Sequence, residues 1–435
     1  MKLFSVFVSS LLAVYCVASI AAPDEVWSLT LADAQAIARE RNHDVQLART
    51  AIASARAAIE IAGAAPNPSL TLSTSSINTA GTGGSNLWRR PIDSVLRVDQ
   101  LIERGGKREL RKENAEQLAQ AAQSDFIDVQ RQLRALVATA YADLKAAQEK
   151  RTAAIDASRL LDAMLSAAQL RKSAGDIAGA DVERVRVDAL RARNDVATAN
   201  GELALSQRAL ALLLGAGEKN SNLQAADPWP ELKLPQPLAV KQLEDLISRR
   251  PDVRAALARL EAADAGRRLA QSLRTRDVSL GMQYEHFPQP GDPNNSSGNS
   301  VGFSVQVPLF TRYYYSGEIL AAEAARTSAE QNLQRVRAIA ENELGAAWSS
   351  LMTAAERVRR NRDELLVAAE KAANAAEYAY RNGAVGVMDV LDARRTLRAT
   401  RFDALAAQAE FSKAYAVWLA ATELDDINDV IMNSR

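Results

Sequence analysis

From Lys107 to Lys172 the sequence carries neither glycine nor proline, and apolar side chains recur at Phe126, Val129, Leu133, Leu136, Ala140 and Leu144 in a heptad-like seam. At about 1.5 Å per residue, an unbroken helix over this stretch is a rod of roughly 100 Å. No ordinary globular domain holds such a rod. The rest of the chain therefore has to be read as what attaches to its ends.

The rod occurs twice. Leu333, Val336, Ala340, Leu344, Ala347 and Leu351 follow Phe126, Val129, Leu133, Val137, Ala140 and Leu144 at a constant offset of 207 residues. Asp252 and Val253 follow Asp44 and Val45 by 208, as Val278 and Leu280 follow Leu70 and Leu72. The chain thus divides into a first repeat over 22–215, a connector over 216–237 marked by Pro228, Pro230, Pro235 and Pro237, a second repeat over 238–423 and a tail over 424–435. Each repeat reads as helix, β-hairpin, long helix, tight turn and return helix. The first helix is expected to run from Thr30 to Ala65, where Pro66-Asn67-Pro68 stops it, and the first return helix to pass through Val185, Val187, Leu190, Leu203 and Leu210 to Gly215.

Alternation marks the hairpins, at about 69–103 and 277–310. Leu70 and Leu72 oppose Thr71 and Ser73; Leu96, Val98 and Ile102 oppose Arg97, Asp99 and Glu103. Past a glycine-rich loop from Thr79 to Asn86 in the first hairpin and a polar loop from Pro288 to Ser300 in the second, the pattern continues: Val278, Leu280, Met282 and Tyr284 oppose Gln283 and Glu285, and Val301, Phe303, Val305, Val307 and Leu309 alternate with polar or small residues. Tyr313 to Tyr315 follow as an interfacial aromatic belt would. An apolar face on four strands suits lipid, but four strands cannot close a barrel, and open edges in a bilayer cost several kcal/mol per unpaired group. The strands must pool with those of other copies. Two copies give eight strands with a filled interior; three give twelve and a lumen lined by Arg97, Asp99, Gln283 and Glu285.

At the far end of the rods the two turns also repeat. Gly175, Asp181 and Val182 precede Gly383, Asp389 and Val390 by 208 residues. Gly175 to Gly179 and Gly383 to Gly386 read as a helix C-cap followed by a restart. Asp389 and Asp392 lie on one face of the first turns of the new helix, and copies converging on an axis make a carboxylate ring. In the first repeat Arg184 stands where Asp392 would be. Two acids three apart usually mark only a solvated helix face. A catalytic pair would need a nucleophile or phosphate loop beside it, and the chain has neither, so no enzyme and no cofactor are expected. His43 and His286, the only histidines, are expected to face solvent, and no metal site is expected.

The first 21 residues, apolar behind Lys2 and ending in small residues, read as a signal peptide. Cys16, the only cysteine, lies inside it; a lipidated Cys16 is the alternative, with bulky Tyr15 against it. Zero net charge leaves no electrostatic footprint for nucleic acid, and no later apolar run suits a membrane helix.

The twofold plan, Pro308-Leu309-Phe310 after the last strand, and Tyr380-x-x-Gly383 with Asp389-Val390-Leu391-Asp392-Ala393 resemble the TolC-type outer-membrane efflux proteins over essentially the whole mature chain. The resemblance implies a mixed, mainly α fold: a homotrimer whose twelve-stranded transmembrane β-barrel continues into an α-helical coiled-coil tunnel in the periplasm. It implies an adaptor protein and an inner-membrane pump of the resistance-nodulation-division type as partners, with outer-membrane lipid around the barrel. It also implies a constriction at Asp389 and Asp392 and gate links through Asp181 and Tyr380. Val385 stands where the family carries a basic residue, and Arg381 is the candidate substitute. Gln100-Leu101-Ile102-Glu103-Arg104-Gly105-Gly106-Lys107-Arg108 resembles the strand exit of cobalt-zinc-cadmium efflux members. Drug or polypeptide export, and a secreted coiled-coil structural or adhesive protein, are the competing expectations.

Overall fold

The computed structural model describes residues 27–75, 92–216, 222–232, 234–235, 240–287 and 298–422. The signal peptide with Cys16, the glycine-rich loop, most of the Pro288 to Ser300 loop, part of the connector and the tail lie outside the described residues.

In order, the elements are β1 (Trp27–Leu29), α1 (Leu31–Arg41), α2 (His43–Gly63), β2 (Ser69–Ser75), β3 (Asp93–Ile102), α3 (Lys107–Ser173), α4 (Gly179–Leu213), β4 (Leu223–Ala225), α5 (Val240–Arg249), α6 (Pro251–Ser272), β5 (Val278–Phe287), β6 (Gly298–Gln306), α7 (Ser316–Arg360), a π-helical turn (Asn361–Leu365), α8 (Leu366–Arg381) and α9 (Val387–Thr422). The 67-residue α3 is the expected rod, and α2, α4, α6 and α9 pack along it.

Several expectations are corrected. The first helix breaks at Asn42, whose Oδ1 accepts from the Asp44 amide at 2.9 Å while its Nδ2 donates to the Leu213 carbonyl at 3.1 Å. A buried side chain that caps one helix and holds another outweighs the continuous apolar pattern. In the seam of α3 the buried residue is Val137, and Leu136 is exposed. On α4, Val187 and Leu190 are exposed and the seam runs through Val185, Ala189 and Ala192. Small residues carry it because the helices approach closely there, which a search for large apolar side chains does not register. The connector contributes β4, parallel to β1, and the Tyr141 hydroxyl ties that pair to α3 by donating to the Leu29 carbonyl at 2.9 Å and accepting from the Asp227 amide at 3.0 Å. The last strand ends at Gln306, so Val307 and Leu309 lie beyond it.

Strands β2-β3-β5-β6 form one antiparallel sheet in that order. Its register sets Leu70, Val98, Met282 and Phe303 in one row and Leu72, Leu96, Tyr284 and Val301 in the next. All eight are exposed, with Phe303 at 81%. The opposite face carries Thr71, Arg97, Gln283 and Gly302 in one row, and Ser69, Asp99, Gly281 and Ser304 in another. β2 and β6 are the edges, each with no second partner among the described strands. Gly105 and Gly106, both left-handed, turn the chain from β3 into α3, and Lys107 Nζ then reaches Asp277 at 2.7 Å, joining the two repeats at the base of the sheet.

Candidate functional site

Two places combine polar side chains with the repeat architecture: the polar face of the sheet and the far end of the helices. On the sheet, Arg97 donates from Nε and Nη2 to the Asp99 carboxylate at 2.8 Å and from Nη2 to Ser304 Oγ at 3.1 Å. Gln283 Nε2 donates to Glu285 Oε1 at 2.6 Å, and Ser300 Oγ to Glu285 Oε2 at 3.1 Å. The four residues expected to line a lumen therefore share the polar face of the sheet. Gly281 makes room for the ion pair, because a Cβ there would displace Asp99 Oδ1 and Ser304 Oγ. Arg97 balances Asp99, and Glu285, bonded only to the neutral Gln283 and Ser300, leaves these groups one negative charge in excess. His286 departs from expectation: it is 5% exposed, with Nδ1 2.6 Å from Asn299 Oδ1 across the hairpin, so pairing in the ladder has covered it. His43 is exposed as expected.

At the far end, Gly175 (φ 84°) and Gly383 (φ 74°) adopt the left-handed conformation in matching Schellman caps: Asp176 N–H reaches the Arg171 carbonyl and Ala384 N–H the Ala379 carbonyl, each at 2.9 Å. A Cβ at either glycine meets nothing within 4 Å, so the backbone angle alone demands glycine. Gly179 opens α4, and Gly386 precedes α9, where its amide donates to Asp389 Oδ2 at 3.0 Å. Asp389 is thus occupied as a helix cap. Asp392 keeps its side chain 80% exposed within one chain, 3.9 Å from Arg395 Nη1.

Links between the α3–α4 and α8–α9 hairpins surround these turns. Arg171 Nη1 donates to the Tyr380 hydroxyl at 2.7 Å, with the guanidinium 5.4 Å from the ring centroid. Within one chain Asp181 meets Arg184 of its own helix at 3.4 Å, and Arg381 meets Glu377 of its own helix at 2.5 Å, so neither side chain crosses between hairpins there. The crossing pairs that sequence reading missed are Arg395 to Asp188, at 2.7 and 2.8 Å to its two oxygens, and Arg398 to Asp195 at 3.0 Å. The signal was present: Asp188 stands between Val185 and Ala192 at core spacing, where a carboxylate needs a partner. Its side chain is 5% exposed.

Glu377 also accepts from Arg394 of α9, joining the two helices of its hairpin. Partial burial would raise its carboxyl, but Arg394 and then Arg381 outweigh that and hold it below the ordinary glutamate range. A depressed carboxylate contributes stability above its unfolded pKa and loses it as pH falls through the folded one. Thermal melts by circular dichroism should therefore find Glu377→Gln less stable than the parent at neutral pH, with the difference closing only below the ordinary glutamate range.

Among the described residues no group of three or more His, Cys, Asp or Glu side chains is placed to hold a metal ion, and no helix is long and apolar enough to cross a membrane. The family model described as "Outer membrane efflux protein" matches residues 36–216 and 243–417. Cobalt-zinc-cadmium resistance protein CzcC of Cupriavidus metallidurans is 27% identical over 92% of this chain and 90% of its own length. Cation efflux system protein CusC of Escherichia coli K12 is 28% identical over 48% of this chain and 46% of its own. A crystal structure of CusC superposes with a TM-score of 0.76 at 21% identity, covering 91% of this chain and 92% of that one.

Proposed function

The chain belongs to the outer membrane efflux protein family, and on that premise we propose that three copies form the passive exit duct of a tripartite system exporting heavy-metal cations. The observation that carries the reading is the sheet: one face is apolar and exposed, the other polar and paired, and both edges are free to join a neighbouring copy. Cyclic pairing of β6 with β2 of the next copy closes twelve strands around the Arg97, Asp99, Gln283 and Glu285 face, with lipid outside. The long helices leave from one side of the sheet and continue as the tunnel. At its periplasmic tip the duct meets an adaptor protein, which connects it to an inner-membrane pump of the resistance-nodulation-division type. Similarity to CzcC along nine-tenths of both chains supports a metal cargo.

Deleting the gene tests the cargo. Minimum inhibitory concentrations of zinc, cobalt, cadmium and nickel should fall while those of antibiotics and detergents hold; the opposite pattern makes this a drug duct. The tip is the proposed constriction, with the Asp392 carboxylates facing the axis and the Asp389 carboxylates setting the helix starts. In planar bilayers the Asp389→Ala/Asp392→Ala variant should lose cation preference. Asp392→Ala alone should lose most of it, whereas Asp389→Ala should chiefly lower stability, by about 1 kcal/mol for a lost cap. Unchanged selectivity in the double variant rejects the constriction.

A further inference from the structure

The two rods differ at one point. Asn361–Leu365 forms a π-helical turn, whereas α3 passes through the corresponding stretch, 154–158, as ordinary α-helix. Burial locates the extra residue. Ala140, Leu144, Ala147 and Ala154 are matched 207 residues later by Ala347, Leu351, Ala354 and Asn361, all buried. Leu161 is matched by buried Ala369 at 208, the offset that then holds to Gly175 and Gly383. One residue has therefore been added inside the turn. Threaded into regular α-helix, it would rotate every lower position by about 100° off the seam; the wider turn absorbs it.

Packing changes at the same level. Above the turn, α7 and α9 share Leu351, Val358, Phe411 and Trp418. Below it, the buried contacts between α8 and α9 shrink to Ala369, Ala373 and Leu397. Fewer buried side chains therefore join α8 to α9, while α9 meets α3 and α4 near its start through Leu391, packed with Leu161, Val182 and Val185, and through the Arg395–Asp188 and Arg398–Asp195 pairs. Bending a two-helix hairpin requires one helix to change length relative to the other. α9 is unbroken over 36 residues, so the adjustable member is the one containing the turn, where gaining or losing one residue of rise changes length by about 1.5 Å.

We infer that the Asn361–Leu365 turn is the pivot about which the α8–α9 hairpin swings from the α3–α4 hairpin when the tip opens. The inference rests on the reading of the tip as a gate. Deleting Arg362 tests it, because removal restores the seven-residue spacing of Ala154 to Leu161 between Asn361 and Ala369 and so keeps the buried face in phase. In an Asp188→Leu/Arg395→Leu background, which removes the crossing ion pair between the hairpins, conductance should rise several-fold over the parent. Adding the Arg362 deletion should abolish that rise. An undiminished rise overturns the pivot and leaves the gate standing; no rise in the unlocked background itself counts against the gate. In either that case or a failure of the deletion chain to assemble, amide hydrogen exchange on the unaltered trimer decides. Amides of Asn361 to Leu366 should exchange at least about tenfold faster than those of Ala154 to Arg159, and equal rates overturn the pivot.

Discussion

Arginine at both Met282 and Phe303 is expected to keep the protein out of the outer membrane. The two residues are direct cross-strand partners near the middle of β5 and β6, on the apolar face. An arginine facing lipid at mid-depth costs about 2–4 kcal/mol, and a trimer repeats that cost at three pairs. The chain should then be lost from the outer-membrane fraction and be degraded or recovered as aggregate. Gln283→Arg/Ser304→Arg, one residue along each strand and directed to the opposite, polar face, is the control: it adds the same two charges there and should still yield membrane-embedded trimer. Equal recovery of both variants from the membrane would mean that the apolar face does not contact lipid.

Arg395→Ala should produce the next largest effect, at the other end of the molecule. It strands the Asp188 carboxylate in a nearly closed site, with only Arg191 left at 3.9 Å. Removing one partner of a buried pair costs about 3–5 kcal/mol; Arg395 is itself 38% exposed and water reaches the gap, so about 2 kcal/mol is expected. The unfolding midpoint should fall, and the conductance of the reconstituted duct should rise because a crossing link between hairpins has gone. Asp188→Leu/Arg395→Leu should recover most of the stability while keeping the raised conductance, since apolar packing replaces the pair without restoring the link. A double variant as unstable as Arg395→Ala would show that the cost lies in packing and not in an unpaired charge.

What could be read from the residues divides along physical lines. The rods, the glycine turns and the alternating faces are repeated local patterns with one dominant cause each, and α3, Gly175, Gly383 and the sheet rows stand where those patterns put them. Features set by a single tertiary contact did not show. Asn42 breaks a good helical pattern because Leu213 offers a carbonyl across the fold, and His286 is covered because Asn299 lies opposite it. Asp188, at core spacing, signalled that it needs a partner, but only packing identified that partner as Arg395. The π-turn lies between these cases: the step from an offset of 207 to 208 recorded an added residue, but only the burial of Asn361 and Ala369 located it.

The most direct test of the whole account is the mass of the protein purified in mild detergent, measured by native mass spectrometry with sheet content checked by circular dichroism. Three chains per particle, with β-structure retained, is the predicted result, because each chain brings one four-stranded sheet whose two edges have no second partner among the described strands. A monodisperse single chain with its sheet intact would contradict it.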